Sequence, residues 1–203
     1  MLLRNFRPAL RITLVFWLLT AVIYPLVLFV IGQLVFPFQA NGSLLTDAQG
    51  TVVGSQLIGQ PFQSDRYFWG RPSAIAYATD PADRQTGISG NQHLGPTNPQ
   101  LRDRIAAEAR RLQAAGLSSI PSDLLYSSAS GLDPHISSAA AQAQVARVAA
   151  ARQRSPEVIA ELVECYRDRR VFGLIGGTGI NVLQLNRALD LPQPSTNQIC
   201  PKL

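Results

Sequence analysis

The chain has 203 residues, 46% of them hydrophobic, with 18 Lys and Arg against 13 Asp and Glu for a formal net charge of +5. Three of the basic residues, Arg4, Arg7 and Arg11, stand before a long uncharged stretch, and the rest of the chain is nearly balanced at 15 against 13. A nucleic-acid surface resting on bulk charge is excluded, because it needs basic residues gathered on one face, whereas Arg102, Arg104, Arg110 and Arg111 alternate with Asp103 and Glu108 as on a solvated helix face.

Residues 12–36 carry no charge. As a helix at about 1.5 Å per residue they reach roughly 37 Å, more than the roughly 30 Å hydrocarbon core of a bilayer. The h-region of a cleavable signal peptide is only about 7–15 residues long, and no small-x-small cleavage pattern follows here, so the segment reads as a retained anchor. The basic flank orients it: residues 1–11 stay in the cytoplasm, residues 12–36 span the membrane, and residues 37–203 lie outside the cytoplasm. Pro25 interrupts the span and Gly32 permits close approach of another backbone. The two are candidate membrane-packing residues, with a plain tether as the alternative.

Beyond the anchor, residues 43–46 and 51–53 flank Asp47-Ala48-Gln49-Gly50 and predict a hairpin. Residues 55–60 are expected to continue extended. Residues 62–99 are rich in Gly, Pro, Asn, Ser and Asp, with Tyr67, Phe68, Trp69 and Tyr77 interspersed, and predict a long irregular segment whose aromatics need something to pack on. Asn98-Pro99 caps a helix with Leu101, Ile105, Ala109 and Leu112 on one face and Gly116 at its end. Ser137 caps a second helix running to residue 152, with Ala141, Val145 and Val148 inward, and Ser155-Pro156 opens a third with Ile159, Leu162, Val163 and Tyr166 as its stripe. Residues 171–175 predict a buried strand, and residues 181–189 a last helix stopped by Pro192. The fold class is therefore a single N-terminal transmembrane helix plus one mixed α/β (α+β) extracytoplasmic domain. Its two cysteines, Cys165 and Cys200, would pair in an oxidising compartment or remain a buried and a tail thiol.

Chemical motifs are sparse. Gly176-Gly177-Thr178-Gly179 has no Lys-Ser or Lys-Thr at P-loop spacing, and the third glycine of a dinucleotide fingerprint would fall on Val182, so it reads as a strand-to-helix turn. Ser130, Asp133 and His135 are the residue types of a hydrolase triad, but Asp133 is held extended before Pro134 and no Gly-x-Ser-x-Gly elbow exists. His93 and His135 have no second ligand at metal spacing.

Five blocks together are more specific. Gly54-Ser55-Gln56-Leu57-Ile58-Gly59-Gln60, Tyr67-Phe68-Trp69-Gly70-Arg71-Pro72-Ser73-Ala74, Leu94-Gly95-Pro96-Thr97-Asn98-Pro99, Ser130-Gly131-Leu132-Asp133-Pro134-His135-Ile136-Ser137 and Asn181-Val182-Leu183-Gln184-Leu185-Asn186 follow in order behind one anchor. In this the chain closely resembles the C subunit of the Kdp-type potassium-transporting P-type ATPase. The resemblance implies a small, non-catalytic accessory subunit of an inner-membrane potassium importer. It implies two partners besides the lipid bilayer, a catalytic P-type ATPase subunit that carries ATP and a channel-like subunit that carries potassium. It also implies a catalytic chaperone that raises the ATP affinity of the catalytic subunit. The chain itself lacks an Asp-Lys-Thr-Gly phosphorylation sequence, and no nucleic acid, metal or bound cofactor is expected. Within the resemblance, Tyr67, Phe68, Trp69 and Arg71 are the candidate partner-docking residues, since aromatics and Arg are favoured at interface cores; filling the domain's own core is the alternative. Outside it, the alternatives are a membrane-anchored envelope hydrolase using Ser130 and His135, or an envelope-polymer binding module with exposed aromatics.

Overall fold

A computed structural model describes residues 2–47, 49–75, 77, 88–170 and 172–191. By internal packing the chain divides into two units, residues 1–53 and 54–203.

The first unit is a long helix followed by a hairpin. Helix α1 (Leu2–Trp17), a π-helical segment (Leu18–Ile23) and helix α2 (Tyr24–Val35) follow without a break. Residues 5–35 are long and apolar enough to cross a membrane. The helix starts upstream of the expected span and ends one residue before it. Phe36 leaves helical geometry at φ −129° and ψ 52° because it precedes Pro37, whose ring disfavours the α conformation there. Pro25 has no N–H and crowds the carbonyl four residues back. The backbone answers by widening just before it, with the Tyr24 N–H donating to Leu19 O, five residues away. Thr20 Oγ1 donates to Phe16 O at 2.7 Å in the same stretch. A Cβ on Gly32 would meet only the Ala40 Cβ, at 3.9 Å, so the backbone there is open to close approach. Pro25→Leu is expected to restore regular α-helix and, if the widened turn packs on a neighbouring helix, to cost about 1 kcal/mol, or roughly fivefold in recovered complex. Detergent co-purification measures it, and unchanged recovery would reduce the anchor to a tether.

After a short helix, α3 (Pro37–Ala40), strands β1 (Leu44–Thr46) and β2 (Val52–Ser55) pair as a two-stranded sheet. The expected turn joins them. Asp47 Oδ1 accepts from Gln49 N–H and Thr51 N–H, and Gly50, at φ 81°, donates to Asp47 O.

In the second unit, the stretch expected to be extended after β2 instead turns. Leu57 N–H bonds Ser55 Oγ at 3.1 Å and Ile58 N–H bonds Ser55 O, so the serine side chain offers the backbone a local partner in place of a strand. Among the described residues, 59–98 contain no helix or strand. Helix α4 (Pro99–Ala114) starts where expected, with Asn98 Oδ1 accepting from Gln100 N–H, and closes on Gly116 at φ 88°.

The expected helix over 137–152 is two helices, α5 (Ser138–Gln142) and α6 (Val145–Arg152), although Ser137 caps it as predicted. The break has a specific cause at Gln144. Its side-chain Nε2 donates to Ala140 O, the carbonyl its own backbone N–H would take in a continuous helix, and that N–H goes to Ala141 O instead. Helix α7 (Pro156–Cys165) is capped by Ser155 and buries Ile159, Leu162 and Val163.

Two three-residue strands, β3 (His135–Ser137) and β4 (Gly179–Asn181), pair antiparallel, with Ile136 opposite Ile180. The strand predicted at 171–175 is corrected. Val171 lies outside the described residues, and Phe172 and Gly173 form a turn at φ 54° and 73°, with Phe172, Leu174 and Ile175 exposed. Ile175 carries an isolated β-bridge, but the strand paired with β3 is 179–181. The Gly176 to Gly179 run accordingly leads from this turn into β4 and not directly from strand to helix. Helix α8 (Val182–Asp190) follows, capped by Asn181 Oδ1 on Gln184 N–H; Pro192 lies outside the described residues. Phe68, Leu112, Leu124, Ile136, Val148, Ile159, Val163, Ile180, Leu185 and Leu189 meet in the core of this unit.

Candidate functional site

Residues 65–69 have no regular structure, yet all five of their carbonyls and the N–H groups of Phe68 and Trp69 are paired by a side chain from α6, α8 or the turn before α6. Asn186 Oδ1 accepts from Phe68 N–H at 2.8 Å and its Nδ2 donates to Phe68 O at 2.9 Å. Gln144 does the same for Trp69, accepting at 2.8 Å and donating at 3.1 Å. The Arg147 guanidinium donates to Asp65 O and Tyr67 O, and that of Arg152 to Arg66 O. The side-chain amides thus supply the ladder that a neighbouring strand would supply, and buried backbone groups require such partners. A lone Gln or Asn on the inward face of an apolar helix is the sequence signal for this, since a buried amide needs bonds.

This places the predicted docking block. Phe68 is fully buried and Trp69 is 6% exposed, so both side chains belong to the core, and Trp69 also lines the groove described below. Arg147 and Arg111 lie over the Trp69 ring, at 3.6 and 4.4 Å from its centroid. Burial lowers the Arg147 pKa to about 10, against the opposing pull of Asp65. Tyr67 donates its hydroxyl to Asp190 Oδ2 at 2.8 Å, while Asp190 Oδ1 is paired with Arg152. The hydrogen bond to Asp190, and secondarily burial, raise the Tyr67 pKa above 10. A phenol whose folded pKa is raised contributes stability that is complete below its unfolded pKa of about 10 and is lost as pH rises through the folded value. Tyr67→Phe is therefore expected to flatten the alkaline arm of the unfolding profile, and an unaltered arm above about pH 10 would contradict the bond.

Four of the five sequence blocks converge at one junction. Gly59 N–H donates to Leu132 O at 2.7 Å, and a Cβ on Gly59 would lie 2.9 Å from Asp133 O, so only glycine fits. Arg71 Nη1 pairs with Asp133 Oδ2 at 3.0 Å. Asn181 Nδ2 donates to Gln56 O, and Val182 N–H to Pro134 O. Beside this junction a groove of about 650 Å³ opens between residues 60–77 and α4. Phe62, Trp69 and Ile75 supply its apolar lining, and Gln60, Gln63, Arg71, Ser73, Tyr77, Glu108 and Arg111 its polar groups. Arg71 Nε is buried with no hydrogen-bond partner among the described residues.

The hydrolase grouping does not assemble. Ser130 Oγ accepts from Leu132 N–H, and Asp133 holds Arg71 and the His135 backbone N–H. The His135 ring lies between Asp133 and Asp168, 3.4 Å from each. The double variant Ser130→Ala/His135→Ala is expected to leave activity within about twofold of the parent, as for substitutions that leave cores and buried networks intact; a loss of activity beyond tenfold would restore a chemical role. Cys165 is disulfide-bonded, and Cys200 lies outside the described residues. Among the described residues no group of three potential metal ligands gathers.

Comparison with known proteins agrees with the geometry and the sequence blocks. The family described as KdpC, K+-transporting ATPase, c chain, matches residues 6–191. A potassium-transporting ATPase KdpC subunit of Synechocystis is 56% identical over 93% of this chain and 99% of its own length. One from Anabaena is 50% identical over 97% and 98%, and one from Methylococcus capsulatus 48% over 93% and 98%. The hydrolase and polymer-binding alternatives find no support in these relationships. A chain that carries the family's pattern from its anchor to its last described helix, and folds those blocks into a single junction, belongs to the KdpC family of potassium-transporting ATPase accessory subunits.

Proposed function

We propose that this chain is a non-catalytic assembly subunit that holds the catalytic ATPase subunit and the potassium-binding channel-like subunit together from the outer face of the inner membrane. The groove beside Arg71 carries the reading: Arg71, Ser73 and Tyr77 are held from residues 126–133, by Asp133 and by the Gly131 carbonyl among others, and Arg71 Nε has no partner among the described residues. Aromatic and Arg side chains in such a recess suit a partner loop. Docking thus rests on Arg71 and the groove, with Tyr67 at the edge of the same segment and Phe68 and Trp69 as the support beneath.

The placement of the domain outside the cytoplasm is supported by Arg4, Arg7 and Arg11 before the span, and by the disulfide state of Cys165, which suits an oxidising compartment. With ATP on the cytoplasmic side, any rise in the ATP affinity of the catalytic subunit reaches it as a coupling free energy through packed helices or the channel-like subunit.

Co-expression with the other chains of the ATPase and purification in mild detergent tests the function. A stable complex, with potassium uptake impaired in its absence, is the expected result; isolation as a lone monomer, with full uptake without it, overturns the reading. Topology is tested separately on intact spheroplasts with an impermeant thiol reagent after impermeant reductant. Labelling only after lysis reverses the orientation.

A further inference from the structure

Between Asp168 and Gly179 the chain is pinched at its base. Asp168 N–H donates to Gly179 O at 2.8 Å and Arg167 bridges to Ile180, which is fully buried, so the stem is seated on β4. The tip is the opposite in character. Phe172 is 91% exposed, Leu174 83% and Ile175 68%. Phe172 also holds φ 54°, a left-handed conformation that a bulky side chain rarely adopts, next to Gly173 at φ 73°. No packing within the described residues rewards that geometry, and strain kept at an exposed site points to a ligand that does.

The charges around the tip indicate what covers it. Arg167 is paired with Glu164, and Asp168 with His135. Arg169 and Arg170 are exposed and have no acidic partner among the described residues. Three apolar side chains close in sequence to two guanidinium groups without an acidic partner among the described residues match a recess that is apolar at its centre and carboxylate at its rim.

We propose that the exposed residues Phe172, Leu174 and Ile175 are a second docking element, inserting Phe172 and Leu174 into an acidic-rimmed apolar pocket on another chain of the ATPase. This rests on the assembly role above. A polypeptide partner is favoured over lipid because the loop's base is fixed and its backbone tightly turned, presenting a shaped knob where a bilayer would need only apolar area.

A photoreactive phenylalanine analogue at position 172, in the full chain co-expressed with the other ATPase chains, tests it in native membranes. The expected result is a light-dependent adduct with one of those chains that disappears in the Arg169→Glu/Arg170→Glu background. In parallel, Phe172→Ser/Leu174→Ser is expected to lower co-purified partner about tenfold, as loss of interface anchors does, without moving the unfolding midpoint of the isolated chain. Adducts with lipid only, or no adduct, from a chain that still co-purifies would overturn this proposal alone. Failure to co-purify at all, in the unsubstituted chain, would remove the assembly role and this proposal with it.

Discussion

Gln144→Leu is expected to destabilise the folded domain by about 3–5 kcal/mol. The substitution keeps most of the side-chain volume and removes four hydrogen bonds, those with Trp69 N–H, Trp69 O, Ala140 O and Arg147. Each buried backbone group left unpaired costs about 1–3 kcal/mol, and Gln144 is fully buried, so water does not step in. Against a total stability of about 5–15 kcal/mol for a typical domain this is a large fraction. At about 2–4 °C per kcal/mol for a chain of this size, the midpoint should fall by roughly 10 °C. Gln144→Glu keeps an acceptor for Trp69 N–H and Arg147 while losing the donor, and should lie between parent and Leu. Asn186→Leu should behave like Gln144→Leu, and the double variant should cost less than the sum, because both amides hold consecutive residues of one segment and that segment is released once. Chemical unfolding of the detergent-solubilised chain measures all four. A cost under about 1 kcal/mol for Gln144→Leu, within the range of ordinary single bonds, would mean that the stitching is incidental.

Phe68→Ala is expected to cost about 3–5 kcal/mol, the usual range for emptying a buried aromatic site. Phe68 is fully buried in the core cluster that includes Leu185 and Leu189 of α8, and Asn186 of the same helix holds its backbone. The same experiment separates support from contact within the docking block. Arg71→Ala breaks a partly buried ion pair with Asp133 and two long hydrogen bonds to Tyr126 O and Ser127 O, and should cost about 1–2 kcal/mol in unfolding, less than Phe68→Ala, while weakening assembly. Phe68→Ala should show the reverse order, with stability lost first and assembly only as a consequence. If Phe68→Ala left stability intact and abolished assembly, its side chain would be the contact after all.

Much of the local architecture was legible because its causes are local. An uncharged run is enough to specify a helix long and apolar enough to cross a membrane. Asn98, Ser137 and Ser155 cap the helices predicted from them, since a short polar side chain needs only the next turn's N–H groups. The hairpin at Asp47 follows from the same kind of short-range bond. The five ordered blocks identified the family, although nothing in their spacing revealed that four of them would meet at Asp133 and Arg71.

Other features escaped because their partners are far along the chain. Strands β3 and β4 are three residues each, too short for alternation to register, and exist only because residues 135–137 and 179–181 find one another. Gln144 breaks a helix its neighbours would continue, for the sake of Trp69. The apolar run at 172–175 had the composition of a buried strand and lies exposed instead.

What the amino-acid order determined alone is the anchor, the helix starts and the membership in a family, each set by hydropathy or by bonds spanning a few residues. Tertiary structure alone decided which aromatics are core, where the irregular segment is tied, and which apolar residues stay exposed. Burial and backbone pairing depend on which distant segment arrives first at each polar group, and no window of neighbouring residues carries that information.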